Sequence, residues 1–236
     1  MSDYGSMLLV SGDEVDRLAT VPVALAAAEE AALLLTRGNI VTGRVQVNGP
    51  VAWMRVLAGM VTDLDLLGYK EFHRVGQDVR YHVHLYREST GEILGVVDGR
   101  RITSLRTAAT AAVAIRHWAN DRPVRVGLIG SGEEAREGLR AIAGSVHVSF
   151  ASVFSPTVAN REAFAEEMSN ELGIQVIAQS KQEEVVVPLL IHMSVSNVPK
   201  NGFSMREKRS RKSGNGNILT GSVFIQCFPN VKIPNN

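Results

Sequence analysis

Residues 124–135 read VRVGLIGSGEEA, the clearest indication of the fold in this chain. An apolar run ends on glycine and passes at once into a helical pattern, which predicts a strand, a tight turn and a helix. The first glycine of such a turn permits the sharp bend, and the second lets a phosphate approach the backbone. A glycine-rich turn without a ligand is the alternative, but the strand and helix around it favour a dinucleotide site. The motif G-x-G-x-x-[GA] falls on Gly130, Ser131, Gly132, Glu133, Glu134 and Ala135.

The end of the next predicted strand, at 146–154, bears on which dinucleotide is bound. An Asp or Glu there would bind the ribose hydroxyls of NAD and repel a 2′-phosphate. The sequence instead has Ser155-Pro156-Thr157, with Arg161 four residues later. Two hydroxyls and one cation favour NADP, and NAD stays open. A turn that only caps the following helix is the alternative reading.

Strands and helices alternate after this motif, whereas the preceding part of the chain has a different texture. A helical stretch at 160–173 leads to a third strand at 174–178, and this alternation implies a parallel sheet. Short β-type runs separated by turn residues at 45–98 predict a mostly antiparallel sheet. Helices are predicted at 13–36 and 103–119, the second opening with a Thr or Ser cap.

Composition excludes several classes of protein. The 236 residues are 45% hydrophobic and 21% charged, which is typical of a folded globular chain. A single cysteine, Cys227, excludes an internal disulfide and a CxxC zinc module. The sequence shows no apolar run of the roughly 18 residues that a membrane span needs and no signal-type N-terminus, so we expect a cytoplasmic protein with no membrane partner.

Three histidines lie close together in the region of predicted strands. His82 and His84 alternate, so they face one side of a strand, and His73 is near in sequence. A metal site is conceivable, but no supporting carboxylate spacing is visible. We favour hydrogen-bonded or exposed strand histidines and expect no metal.

The C-terminal part is a different kind of sequence. Residues 1–184 contain 23 alanines and 5 asparagines, whereas residues 185–236 contain no alanine and 7 asparagines. Residues 201–236 hold six Lys or Arg and one Glu, and the basic run at 206–212 has no interleaved aromatics, so we expect no nucleic-acid partner. These shifts suggest a truncated chain or a reading-frame change between 184 and 201, with a genuine tail as the alternative.

Three cations in the first half stand out as candidate ligands for an anion. They are Arg44, Lys70 and Arg106. Arg106 is an arginine in an otherwise apolar helical stretch. Its planar guanidinium can hold a carboxylate or phosphate there through two hydrogen bonds. A structural ion pair is the alternative.

Together these features resemble the ornithine cyclodeaminase/mu-crystallin family, which includes alanine dehydrogenases and ketimine reductases. The resemblance covers roughly residues 8–184. It rests on GRV at Arg44, GYK at Lys70, TGEILGVVDGRRITSLRTAAT at 90–110 and VGLIGSGEEAR at 126–136.

The resemblance implies an α/β protein with two domains and a tail. An α+β domain for substrate binding and dimerisation is expected at 1–120. An incomplete Rossmann domain that binds NAD(P) follows at 121–200, and a divergent basic tail occupies 201–236. A homodimer is implied as well.

The family also implies roles for the cations. Arg44, Lys70 and Arg106 would hold the carboxylate of a small amino or imino acid, and Lys70 would polarise its carbonyl or imine. Arg106 and Thr107 would lie close to the cofactor. The implied chemistry is NAD(P)-dependent redox or deamination at the α-carbon.

Two features leave the activity of this chain open. No aspartate follows Asp121, so the aspartate that serves cyclodeaminases has no counterpart, which favours a dehydrogenase or imine reductase. Glu183 and Glu184 match no motif position. A non-catalytic protein that binds NADPH or a small carboxylate, or an inactive truncated remnant, is the alternative.

Overall fold

The computed structural model describes residues 7–119 and 121–185, together with the backbone of three strands at 189–193, 218–220 and 223–227. The chain divides into two compact units, Met1–Arg106 and Thr107–Asn236, here called the N-unit and the C-unit. The division falls within one helix, α3 (Arg100–Ala119). The basic run at 206–212 lies outside the described residues.

The N-unit is built on a six-stranded sheet in the order β1-β6-β5-β4-β3-β2. Its neighbouring strands are antiparallel except β1 and β6, so the mostly antiparallel sheet predicted at 45–98 is confirmed. The elements before α3 are β1 (Leu8–Val10), α1 (Gly12–Leu18), α2 (Val21–Thr36), β2 (Ile40–Asn48), β3 (Ala52–Val61), β4 (Leu66–Val75), β5 (Asp78–Arg87) and β6 (Ile93–Asp98).

The single helix predicted at 13–36 is wrong, because the chain forms α1 and α2 there. A capping box between Ser11 and Glu14 starts α1. Pro22 lies in the first turn of α2, where its missing N–H leaves no helical bond unmade, whereas inside a continuous helix it would break one. Among the described helices none alone is long and apolar enough to cross a membrane; α1 and α2, bent by 85°, meet that test only as a pair.

The start of α3 also differs from the prediction. The helix begins at Arg100, whose N–H donates a hydrogen bond to Oδ1 of Asp98 at 2.9 Å. Asp98 therefore supplies the capping oxygen, and the expected cap by Thr103 or Ser104 is wrong. The hydroxyl of Thr103 donates instead to the carbonyl of Gly99, at 2.6 Å.

The C-unit holds a second six-stranded sheet, in the order β11-β12-β10-β7-β8-β9. The strands β10, β7, β8 and β9 are parallel, and β12 and β11 add to this group as antiparallel strands. The predicted alternation of strand and helix is thus confirmed. Its elements after α3 are β7 (Val124–Ile129), α4 (Glu133–Ala143), β8 (Val148–Phe154), α5 (Val158–Leu172), β9 (Val176–Ala178), β10 (Leu189–Met193), β11 (Ile218–Thr220) and β12 (Val223–Cys227).

The core of the C-unit lies between its parallel strands and the helices that connect them. Val126 and Leu128 of β7 and Val153 of β8 are fully buried. Ile142 of α4 and Phe164 of α5 are equally inaccessible, so both crossover helices pack on apolar side chains. Such close packing fixes the positions of the strands and helices that the turns after β7 and β8 connect.

Candidate functional site

The turn between β7 and α4 has the geometry of a phosphate-binding loop. Gly130 has a φ of +112°, which favours glycine, and its N–H donates to the carbonyl of Phe154 at 2.8 Å. Gly132 is the N-cap residue of α4 and has no side chain to accept from the first helical N–H groups. Those N–H groups and the positive end of the helix dipole suit a phosphate oxygen. Ala135 is only 1% exposed, as close packing of helix and strand requires.

The two acids of the motif follow directly on this turn. Glu133 and Glu134 form the start of α4, where carboxylates stabilise a helix through its dipole. Glu133 is exposed and Glu134 is half-buried. Their backbone N–H groups lie at the N-terminus of α4, where such groups lack helical partners.

The residues singled out for the ribose come together at the end of β8. The Ser131 hydroxyl donates to Oγ of Ser155 at 2.9 Å, and Ser155 is 6% exposed. Arg161 donates from Nη1 to the carbonyl of Ser155 at 3.0 Å and lies over the Phe154 ring at 5.9 Å. Thr157 is the exposed N-cap residue of α5, so this helix begins at Val158 and not near residue 160.

Arg136 contacts the turn and was not singled out from the sequence. Its Nη1 donates to the carbonyl of Ser131 at 2.5 Å, and its Nε lies 3.0 and 2.8 Å from the two carboxylate oxygens of Glu167. The hydrogen bond from Arg136 holds the pKa of Glu167 below its usual value. The only sequence signal is an arginine one turn inside the helix, because the contact with α5 depends on the fold.

Arg44 and Lys70 lie in one row across the N-unit sheet. Arg44 of β2 is paired with Leu57 of β3, and Leu57 is paired with Lys70 of β4. Directly opposed residues project from the same face. Two strand spacings of about 4.8 Å separate the two backbones by roughly 10 Å. The row therefore presents two cations on one face of the sheet.

The ammonium of Lys70 is held by a hydroxyl and two rings. Its Nζ donates to Oγ1 of Thr103 at 3.2 Å and lies 4.9 Å from the Phe72 ring centroid and 5.8 Å from that of Tyr81. Ring faces attract a cation and limit its motion. Phe72 could have been found from the sequence because it follows Lys70 by two residues on the same strand face. Thr103 could not, since only the fold brings α3 to β4.

Arg106 lies beside this contact on α3. It follows Thr103 by three residues, and side chains at that spacing are neighbours on a helix surface. Arg106 is exposed, whereas the adjacent Leu105 and Thr107 are 2% and 3% exposed. Lys70 and Arg106 thus both adjoin Thr103, and Thr107 begins the C-unit.

The three histidines project from the face opposite Lys70. Glu71 is hydrogen-bonded to Nδ1 of His73 at 3.0 Å and to Nδ1 of His82 at 2.5 Å. Burial would raise the pKa of Glu71, but these two hydrogen bonds outweigh burial and lower it. His84 stacks on Tyr69, with ring centroids 4.5 Å apart. Within the described residues, no three or more His, Cys, Asp or Glu are arranged to hold a metal ion.

Comparison with known proteins shows which family this chain resembles. The chain matches the ornithine cyclodeaminase/mu-crystallin family over residues 69–198, which is more than half of its length. It is similar to a Δ(1)-pyrroline-2-carboxylate reductase of Bacillus cereus, with 24% identity over 156 residues that cover 63% of this chain and 48% of that protein. The chain therefore spans about half the length of this curated relative.

Solved structures show the same α/β fold. A Thermococcus litoralis Δ(1)-pyrroline-2-carboxylate reductase in complex with NADH and L-proline matches with a TM-score of 0.69 and 26% identity, over 76% of this chain and 58% of that one. An archaeal alanine dehydrogenase dimer with bound NAD matches with a TM-score of 0.70 and 24% identity, over 76% and 57%. With the matched sequence and the shared fold, the chain belongs to the ornithine cyclodeaminase/mu-crystallin family.

Proposed function

We propose that this chain binds a nicotinamide cofactor on the turn at 130–135 and carries out NAD(P)-dependent redox chemistry at the α-carbon of a small amino or imino acid. The observation that carries the proposal is the grouping of Lys70 and Arg106 around Thr103, with Arg44 in the row of Lys70. Two cations beside one hydroxyl, with a third on the same sheet face, suit a small carboxylate better than a neutral substrate.

The three cations have different roles in binding the substrate. Arg44 and Arg106 bind the carboxylate, and the planar fork of each guanidinium fixes its orientation. Lys70 donates a hydrogen bond to the carbonyl or imine, which stabilises the charge that develops there. A nicotinamide cofactor held by the turn at 130–135 would supply or accept the hydride exchanged at the α-carbon. Thr103 and the two rings around Lys70 keep its ammonium in one place.

The C-unit residues bind the cofactor in this proposal. The backbone of Gly130, Ser131, Gly132, Glu133, Glu134 and Ala135 holds the pyrophosphate, and Thr107 contacts the cofactor as well. The ribose of the cofactor contacts Ser155, Thr157 and Arg161. NADP is favoured because no acid ends β8 and Arg161 lies there. NAD is the second candidate, because the two solved relatives above contain NADH or NAD.

A cyclic imino acid is the substrate class we favour. Both the Bacillus cereus relative and the Thermococcus litoralis structure are Δ(1)-pyrroline-2-carboxylate reductases. Such a substrate carries a carboxylate beside a C=N bond, so one small molecule engages both the arginines and Lys70. An α-amino acid handled by a dehydrogenase, as in the archaeal relative, presents the same carboxylate.

We also propose a homodimer and assign the domains as the sequence suggested. Residues 1–120 then bind substrate and the second copy, 121–200 bind the cofactor, and 201–236 are the divergent basic segment, part of which forms β11 and β12 of the C-unit sheet. The support for a dimer is an apolar stripe on β2, where Val41, Val45 and Val47 project from one face and are 60%, 62% and 59% exposed. The archaeal alanine dehydrogenase is a dimer.

The test is turnover by the purified chain. NADPH or NADH is mixed with Δ(1)-pyrroline-2-carboxylate, or with small 2-oxo acids and ammonia, and its oxidation is followed by absorbance. We expect turnover, faster with NADPH, and a loss of at least about 100-fold in kcat/KM for Lys70→Met, since a charged hydrogen bond to the reacting group is removed. Saturable cofactor binding without turnover of any of these substrates would show a non-catalytic binding protein instead.

A further inference from the structure

We propose that Arg136 is a positioning residue of the cofactor site, because it holds the carbonyl of Ser131 and thereby fixes the N–H of Gly132 for the pyrophosphate. The inference rests on the proposed cofactor site at 130–135. Arg136 acts through the backbone of the turn and does not itself touch the ligand.

The guanidinium of Arg136 contacts both the turn and α5. Nη1 donates to the carbonyl of Ser131 at 2.5 Å, while Nε and Nη2 each lie 2.8 Å from Oε2 of Glu167. Its central carbon Cζ lies over the ring of Phe164, 5.3 Å from the centroid, and Phe164 is fully buried. Glu167 and Phe164 both belong to α5, so the helix packed beside α4 sets the position of the guanidinium.

Peptide geometry transmits this position to the turn. The bond between Ser131 and Gly132 is trans, since the described residues contain no cis peptide. In a trans peptide the C=O and the following N–H point in opposite directions. When Arg136 binds the Ser131 carbonyl, the N–H of Gly132 is therefore directed away from Arg136. A phosphate in front of the α4 N-terminus can then accept from it.

The turn needs such a constraint because glycine restricts rotation of the backbone less than other residues do. Gly130 and Gly132 flank Ser131, and glycine reaches backbone conformations that other residues avoid. If the peptide between Ser131 and Gly132 rotated, its carbonyl oxygen would face the phosphate and repel it. The charge-assisted hydrogen bond from Arg136 favours the orientation with the N–H outward.

Arg140 provides a matched control one turn further along α4. Like Arg136 it joins α4 to α5, with Nε and Nη2 each 2.7 Å from the carboxylate of Glu171, and it also contacts Glu137. In the described part of the chain its hydrogen bonds go to these glutamates and none goes to Ser131, while its Nη2 lies 3.7 Å from Oε1 of Glu167. Loss of Arg140 therefore reports the cost of weakening the helix pair alone.

The experiment compares Arg136→Met with Arg140→Met in the full chain. Calorimetry gives the dissociation constants of NADPH, of NADH and of adenosine, which lacks the pyrophosphate. We expect Arg136→Met to weaken the dinucleotides at least about 10-fold, the effect of one charged hydrogen bond, while adenosine changes by less than about 2-fold. Arg140→Met should leave all three constants near those of the unmodified chain. Arg136→Lys should not restore binding, because an ammonium cannot make the same set of contacts.

Several outcomes would overturn the proposal. Equal losses for Arg136→Met and Arg140→Met, or equal losses of dinucleotide and adenosine affinity in Arg136→Met, would show that the arginine only stabilises the helices. If Arg136→Met does not fold, Glu167→Gln replaces it and Glu171→Gln is its control. A selective dinucleotide loss in Glu167→Gln supports the proposal, and no difference between the two overturns it. An unmodified chain that binds neither dinucleotide overturns the cofactor site and this inference together.

Discussion

The Nζ of Lys70 on β4 donates a hydrogen bond to Oγ1 of Thr103 on α3, 3.2 Å away. Thr103 in turn donates to the carbonyl of Gly99, at 2.6 Å, so its hydroxyl is fixed as an acceptor for the ammonium. A lysine side chain has several rotatable bonds and loses much freedom when it is held. The contact therefore restricts the Lys70 ammonium to the position beside Thr103.

Thr103→Val should therefore reduce the contribution of Lys70 to turnover without removing the lysine side chain. We expect kcat/KM for an imino acid to fall by roughly 10-fold, about the effect of one hydrogen bond to a charged group, with little change in thermal stability. Steady-state kinetics on the variant provide the measurement. Thr103→Ser keeps the hydroxyl and serves as control; a similar loss in both variants would show that packing and not the hydrogen bond matters.

Arg44 should contribute to substrate binding through its charge on the Lys70 face. Arg44→Ala is expected to raise KM for the carboxylate substrate about 10-fold or more and to leave the cofactor dissociation constant unchanged. Arg80→Ala is the matched control, because Arg80 pairs with His73 on the opposite face of the same sheet. Equal changes in KM for the two variants would contradict the role of Arg44.

Sequence patterns predicted well those strands, turns and helices whose formation depends on residues adjacent in the chain. The run at 124–135 requires a strand, a glycine turn and a helix whatever surrounds it, and the structure has all three. The short β-type runs separated by turn residues at 45–98 predicted strands for the same reason. The break between α1 and α2 was missed because helix-forming composition on both sides masked the effect of Pro22.

Contacts between distant segments could not be predicted in this way. Lys70 stood out as a cation, but its hydrogen bond to Thr103 joins residues 33 positions apart. Arg136 and Glu167 are 31 positions apart and lie on two helices whose facing surfaces only the fold determines. Lys70 was thus identified from the sequence, whereas Thr103, Arg136 and Glu167, whose contacts depend on the fold, were not.

Arg161 should set the preference between the two cofactors. Its guanidinium is held on the Ser155 carbonyl at the end of β8. Arg161→Gln is expected to weaken NADPH about 10-fold and leave NADH nearly unchanged, since only NADPH carries a 2′-phosphate. Titration of both cofactors tests this. Arg125→Gln removes another arginine that lies over a ring, that of Phe150, and should change neither constant; parallel losses of both cofactors in Arg161→Gln would refute the preference.

Glu71 should stabilise the N-unit in a way that depends on pH. Burial opposes its charge, but the hydrogen bonds from His73 and His82 lower its pKa below the reference value of 4.5. A carboxylate with a lowered folded-state pKa adds stability that is present above the unfolded-state pKa and is lost as pH falls through the folded-state pKa.

Thermal melts of Glu71→Gln across a pH series check this dependence. The variant should melt at a lower temperature than the parent near neutral pH, and the difference should shrink as the pH falls below about 4.5. Glu30→Gln, at an exposed position of α2, is the control and should show no such trend. A difference that stays constant from neutral to acid pH would mean that the charge of Glu71 is not what stabilises the sheet.

The turn at 130–135 should bind a nicotinamide dinucleotide in the unmodified chain. The chain is melted with increasing NADPH or NADH while the fluorescence of Trp53 and Trp118 is followed, because a ligand that binds only the folded state raises the melting temperature by mass action. We predict a cooperative transition that rises with cofactor concentration, more steeply for NADPH. A cooperative transition that neither cofactor shifts would contradict the assignment of the turn at 130–135 as a dinucleotide site.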